Sequence, residues 1–221
     1  MKKIKKAFTM IELIFIIVIV GILAAAVIPR IERNTLLEAA NQVVSHIRYT
    51  QHLAMLDNKY DFNDPQWYRE RWQIFFSCNN AGAKNVCSYT VFSDNSGGNS
   101  GNPDANEIAT DPQNPSKLLT GGFGGTVPHT NARANPNLRI GEKFGVTNVQ
   151  FTGGCAGGQR VAFDEKGRPY GVITNAANHV DRRLVQDCNI TLLDGAGVNN
   201  TAIITIHRET GYVELVQFPR L

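Results

Sequence analysis

One acid stands where acids are expensive. Glu12 lies inside an otherwise unbroken apolar run from Phe8 to Ile28. A central charge costs about 3 kcal/mol on membrane-insertion scales, so such a carboxylate marks a function and calls for a partner. Four cysteines, Cys78, Cys87, Cys155 and Cys188, all lie outside that run and form no CxxC motif, which suits disulfides in an oxidising compartment better than a metal or redox site. Three pairings exist. Cys78–Cys87 and Cys155–Cys188 are favoured because each would tie neighbouring strand-like segments. Asp94, Asn99, Asn102, Asp104 and Glu107 offer oxygen ligands, with Asp94, Asp104 and Glu107 as calcium candidates, but the regular calcium-loop spacing is missing. The cluster Trp67, Tyr68, Arg69, Arg71 and Trp72 interleaves rings and cations. It would stack on single-stranded DNA if displayed, although core aromatics beside snorkelling arginines are the preferred reading. His46, His52, His129, His179 and His207 fit no compact metal spacing, and no GxSxG motif is present. GGFGG, Gly121 to Gly125, lacks the lysine and helix start of a phosphate loop. No catalytic residue and no cofactor are therefore expected.

The elements that must position these groups begin with the run itself. Its 21 residues, 14 of them Phe, Ile, Leu or Val, would rise about 31 Å as a helix, enough to cross a bilayer's hydrocarbon. Lys2, Lys3, Lys5 and Lys6 precede it with no acid among them, which places the short leader in the cytoplasm and the bulk outside. The chain carries +3 overall, and without those four lysines the remainder carries −1. A nearly neutral body does not suggest general nucleic-acid binding. An ordinary signal peptide cut after the small run Ala24, Ala25, Ala26 is the alternative, and it would make the protein a secreted soluble one. That alternative leaves Glu12 without a purpose.

The stretch KKIKKAFTMIELIFIIVIVGILAAAVIP, with Phe8, Thr9 and Glu12 in a Phe-Thr-x-x-Glu pattern, resembles the N-terminus of type IV pilins and type II secretion pseudopilins. The resemblance implies a prepilin peptidase that cuts between Ala7 and Phe8 and N-methylates Phe8, leaving the apolar helix in place. The family usually carries Gly where this chain has Ala7. It also implies that Glu12, with Thr9 beside it, serves assembly, its carboxylate meeting the freed amine of Phe8 on a neighbouring subunit. Such a pairing fixes register more than it adds net stability. Gly21 and Pro29 resemble helix-softening positions, in keeping with the weak helical preference of Gly and the missing amide of Pro.

The implied fold is α+β and pilin-like: a long N-terminal helix, half transmembrane and half amphipathic, packed against an antiparallel sheet body. Residues 1–7 form the leader, 8–28 the filament-core helix, 29–57 its amphipathic continuation and 58–221 a periplasmic β-rich domain. Leu36, Ala40, Val43, Ile47 and Ala54 recur at helical spacing, and this stripe needs a sheet to cover it. Trp72 to Cys78 and Val86 to Phe92 read as a hairpin. Residues 93–137, rich in Gly, Asn, Pro and Ser, read as a displayed or disordered loop. Beyond Gly145 the segments GVTNVQF, RVAFDEKGRPYGVI, DCNITLL, TAIITIHRE and GYVELVQF read as hairpins. VAFDEKGRPYG and ITIHRETGYVEL, with Phe163, Gly167, Pro169 and Gly211, resemble the C-terminal sheet of minor pseudopilins of the GspH and FimT type. The expected function is a minor subunit, most simply of a secretion pseudopilus, held in the inner membrane by a single span. Its expected partners are sister subunits, the prepilin peptidase and an inner-membrane assembly platform. A competence pilin that binds DNA during uptake is the alternative within the pilin class.

Overall fold

The computed structural model describes residues 9–27, 34–78, 86–96, 100–195 and 200–217. The chain divides into two compact units, Met1–Asn34 and Thr35–Arg220.

The first unit holds α1, Met10–Val27, whose side chains from Met10 to Ala24 are exposed all round, Met10 at 85% and Ile22 at 64%. Its 18 residues rise about 27 Å, short of the roughly 30 Å of bilayer hydrocarbon. Among the described residues no helix is long and apolar enough to cross a membrane. Regular helix continues through Gly21. Pro29 lies outside the described residues.

The second unit is built on α2, Thr35–Leu56, which buries Leu36, Ala39, Ala40, Val43, Val44, Ile47, Thr50 and Ala54. These positions recur every three or four residues, so they share one face. Thr35, Glu38, Asn41, Ser45 and His52 give water the opposite one, while Arg48 on the flank donates to Val213 O at 2.6 Å. Full burial of each Val, Leu or Ile on that stripe contributes roughly 1.5–3 kcal/mol. After α2 a single 3-10 turn, Trp67–Glu70, leads into the sheets.

Two four-stranded sheets supply the cover. One has the order β2-β1-β6-β7, from β1 (Gln73–Ser77), β2 (Ser88–Phe92), β6 (Arg160–Phe163) and β7 (Pro169–Tyr170). The other has the order β10-β9-β8-β5, from β5 (Asn148–Gly153), β8 (Cys188–Leu193), β9 (Thr201–Ile206) and β10 (Val213–Gln217). α2 packs on β9 and β10 and also meets β6, β1 and β8. The expected C-terminal hairpins are present as β6–β7, β8–β9 and β9–β10, but β5 and the division between sheets are corrected here. β5 pairs with β8, not with β6, while β6 and β7 join β1 in the other sheet. Alternating apolar residues specify which face of a strand is buried, not which strand lies beside it.

Gln51 on α2 fastens both sheets to the helix. Its Nε2 donates to Gly167 O, in the turn between β6 and β7, at 2.8 Å and to Thr210 O, between β9 and β10, at 2.9 Å. Both turns place a glycine at positive φ, Gly167 at +75° and Gly211 at +67°, a conformation that L side chains rarely adopt. In the β6–β7 turn the fully buried Asp164 accepts from the backbone of Lys166 and Arg168 and from the Arg168 guanidinium, Nη2 at 2.7 Å.

The displayed or disordered loop expected over residues 93–137 is also corrected. This segment contains a two-stranded ribbon, β3 (Thr110–Asp111) and β4 (Asn114–Leu118), and closes against the free edge of β2. Ala109 N–H donates to Val91 O, and Val91 N–H to Leu119 O, each at 2.9 Å. Ile108, Leu118, Leu119, Val127 and Ala134 are buried. Carboxylates replace periodic patterning as the organising device: Glu107 Oε1 accepts from the Asn95 and Ser96 amides and Oε2 from Asp104. A short helix, α3 (Ile140–Phe144), then leads into β5 and ends on Gly145 in the left-handed region.

Candidate assembly helix

Thr9 begins α1 as its N-cap. Its Oγ1 accepts from the Glu12 N–H at 3.3 Å, and its carbonyl accepts from the Glu12 and Leu13 amides at 3.1 and 3.2 Å. A helix leaves its first four N–H groups without intrahelical partners, and a threonine at this position satisfies one of them. Thr9-x-x-Glu12 is the sequence of a capping box. This local role was legible in the residues and was missed in favour of intersubunit pairing alone. Glu12 also lies in the first turn, where a negative charge suits the positive end of the helix dipole.

Glu12 is the only ionisable group in α1, in a helix with no polar face. Sixteen residues, 9–24, are exposed in succession. So large a contiguous apolar surface does not persist against water on a monomer. A helix that is apolar on every side belongs in lipid or among other helices. The arrangement can insert, pack and present one carboxylate near its start. Ala7 and Phe8, the expected cleavage and methylation positions, lie outside the described residues.

The other residues singled out by sequence are distributed through the body. Cys78 bonds Cys87 and Cys155 bonds Cys188. The first follows from strand register: Ser77 faces Ser88 and Gln73 faces Phe92, so the next rung sets Cys78 opposite Cys87. The second joins the chain just after β5 to the start of β8, its antiparallel neighbour.

The calcium candidates Asp94, Asp104 and Glu107 sit in one loop but turn their oxygens to N–H and O–H donors. Asp94 Oδ2 accepts from Gly101 N–H at 2.5 Å, Asp104 Oδ2 from Ser96 Oγ at 3.0 Å, and Glu107 from the three amides above. Burial lifts the Asp94 carboxyl above its ordinary range despite that bond. Among the described residues, no group of three or more His, Cys, Asp or Glu is arranged to hold a metal ion.

The ring-and-cation segment is spent on packing. Tyr68 is buried, and Arg69 donates through Nε and Nη2 to Ala176 O at 3.1 and 2.8 Å. Arg71, 4% exposed, lies over the Tyr170 ring at 4.1 Å and donates to His179 O at 2.9 Å. Trp72 Nε1 donates to Asp57 Oδ2 at 2.8 Å. Trp67, half-buried, stacks on His179 with centroids 6.2 Å apart.

A family model for the prokaryotic N-terminal methylation motif matches residues 2–28. No curated protein and no solved structure matches the chain. The motif supports a type IV pilin-like protein, a subunit of the pilin or pseudopilin type. It implies sister subunits and the prepilin peptidase as partners and suggests a membrane-anchored chain taken into a filament.

Proposed function

We propose that this chain is a minor pilin or pseudopilin, a structural subunit that joins a short filament of the type II secretion or type IV pilus kind. The observation that carries the reading is α1, an apolar helix with no face for water and a single acid, Glu12, in its first turn. On this reading Phe8 and Ile28 extend the apolar segment to the 21 residues that cross a bilayer as one span, with the leader cytoplasmic and the body periplasmic. The prepilin peptidase removes residues 1–7, and Phe8 becomes the N-methylated first residue. In the filament Glu12 faces the Phe8 amine of a neighbour, so two groups that are costly in hydrocarbon offset one another. Gly21 and Pro29 let the helix yield during extraction from lipid. An inner-membrane platform drives assembly. The chain is not an enzyme and needs no cofactor.

A secretion pseudopilus of the GspH and FimT kind is the preferred system. Support comes from the resemblance of VAFDEKGRPYG and ITIHRETGYVEL to segments of that type. The DNA-uptake alternative is the poorer reading, because Arg69 and Arg71 donate to backbone carbonyls of the body.

Mass spectrometry of the chain from its native membrane tests the reading. N-methylated Phe8 is expected as the first residue, and a chain beginning after Ala26 overturns it. Glu12→Ala is expected to leave membrane insertion intact and to reduce recovery in pulled-down filaments. Normal incorporation of that variant rules out the charge pairing.

A further inference from the structure

A polar cleft of about 270 Å³ opens beside α2, between the ribbon β3–β4 and α3. Its wall is a hydrogen-bond chain whose directions can be counted. Gln42 Nε2 lies 2.8 Å from Tyr89 Oη and 2.9 Å from Asn137 O. The Asn137 carbonyl only accepts, so the amide nitrogen must face it, and both its hydrogens are used. Tyr89 Oη thus accepts from Gln42. Tyr89 is 1% exposed, and among the described residues its one hydrogen has a single outlet, His46 Nδ1 at 2.6 Å. A buried hydroxyl hydrogen without an acceptor is costly. His46 Nδ1 is therefore the acceptor, and the ring carries its hydrogen on Nε2. Among the described residues no acceptor is found for that Nε2–H. Burial holds the His46 pKa below its ordinary value, which agrees with a neutral ring.

Two further groups of the lining bear on what the cleft can hold. Gln42 Oε1 faces Lys143 Nζ at 3.5 Å, so this acceptor is already engaged, while the lysine keeps hydrogens to spare. Asp111, 6% exposed, is the one acid in the wall, and both its oxygens are held: Oδ1 by Gln113 N–H at 2.8 Å and Oδ2 by Asn135 Nδ2 at 2.6 Å. Asp111 and Gln42 Oε1 already hold donors within the wall, whereas His46 Nε2–H has no acceptor among the described residues and Lys143, over the Phe144 ring at 4.7 Å, keeps hydrogens to spare.

We propose that this cleft binds a carboxylate, which takes one hydrogen bond from His46 Nε2 and a charge-assisted one from Lys143. The volume suits a group of side-chain size. The carboxylate is either that of a small free acid or that of an acidic side chain on another polypeptide. The proposal does not depend on filament assembly.

The test uses the full chain, labelled with ¹⁵N at histidine, in non-ionic detergent micelles. Sodium acetate represents a free acid and N-acetyl-glutamate amide a polypeptide side chain, with sodium chloride at equal ionic strength as control. In the protein alone, His46 is expected as the Nε2–H tautomer, and finding the hydrogen on Nδ1 overturns the proposal. A saturable shift of the His46 Nε2 signal is expected with acetate, with the blocked glutamate, or with both. Acetate alone assigns the site to free acids; binding of the blocked glutamate assigns it to a polypeptide. Shifts with neither, or linear shifts that chloride reproduces, overturn the proposal. Lys143→Gln, on the exposed side of α3, is expected to weaken binding about tenfold or more, the weight of a hydrogen bond to a charged group. Tyr89→Phe is expected to release the tautomer lock and weaken binding severalfold. Unchanged affinity in Lys143→Gln, with an unchanged melting curve, also overturns it.

Discussion

α1 and α2 are helices of similar length, 18 and 22 residues, each with a glutamate in its first turn. They differ in how their apolar residues are arranged. In α2 the buried positions form one stripe against the sheets, and Glu38, Asn41 and His52 keep to the other side in water. In α1 apolar residues occupy every direction, and Glu12 has no polar face to share. Helix formation by itself therefore says little about function here. The angular distribution of apolar side chains says which solvent each helix was built for: α2 for the inside of its own domain, and α1 for lipid or other helices.

The same substitution in both helices should break the comparison most sharply. Ile47→Asp puts an unpaired carboxylate at a position with no solvent exposure, and the body is expected to lose at least about 4 kcal/mol, enough to abolish its cooperative melting. Ile17→Asp is expected to leave the body's melting within about 0.5 kcal/mol of wild type, while depleting the chain from the membrane fraction. Equal loss of body stability in the two variants would remove the distinction between the helices. Next in size are the disulfides, which α1 lacks entirely. With partners 33 and 9 residues apart, replacing Cys155–Cys188 by serines should cost about 4 kcal/mol and replacing Cys78–Cys87 about 3 kcal/mol by chain entropy. Urea unfolding of the two double variants measures both and should preserve that order. The third effect acts on α1. Thr9→Ala removes its cap and should cost about 1 kcal/mol, seen as faster amide exchange at Ile11, Glu12 and Leu13 in micelles with the body unchanged.

Much of this contrast could be read from residue order, because both helices declare themselves by period. The stripe Leu36, Ala40, Val43, Ile47 and Ala54 is buried as expected, and the expected hairpin is present as β1 and β2. The strands beyond Gly145 were legible, whereas their division between two sheets was not, since β5 and β8 are neighbours across some 35 residues of intervening chain. Residues 93–137 misled for a different reason. Their order comes from single carboxylates that gather amides, as Glu107 does, and from the Asp111–Asn135 contact. Such bonds leave no repeat in the sequence. The His46–Tyr89 contact joins positions 43 apart and was equally invisible, while the Thr9 cap stood in plain view as Thr-x-x-Glu.

The smallest effects concern protons and set the inner side of α2 against the exposed rim of the body. Burial lowers the pKa of His46 from 6.5, although nearby Asp111 opposes the shift. The unfolded chain then takes up a proton more readily than the folded one below pH 6.5, so the stability this site contributes is present above 6.5 and declines as pH falls through the folded value. His207 behaves oppositely. Its Nε2 is 2.9 Å from Glu214 and its Nδ1 3.3 Å from Asp187, and these partners raise its pKa. Its contribution is complete below 6.5 and fades as pH rises through the raised folded value. Because His207 is largely solvated, screening makes its effect the lesser of the two. Thermal midpoints recorded between pH 5 and 8 should therefore fall toward the acid end, and His46→Gln should flatten that fall. His207→Gln should change only the slope above 6.5, and by less. An acid limb that persists unchanged in His46→Gln would mean that the proton taken up on unfolding goes to some group other than His46, since His207 loses its contribution only as pH rises.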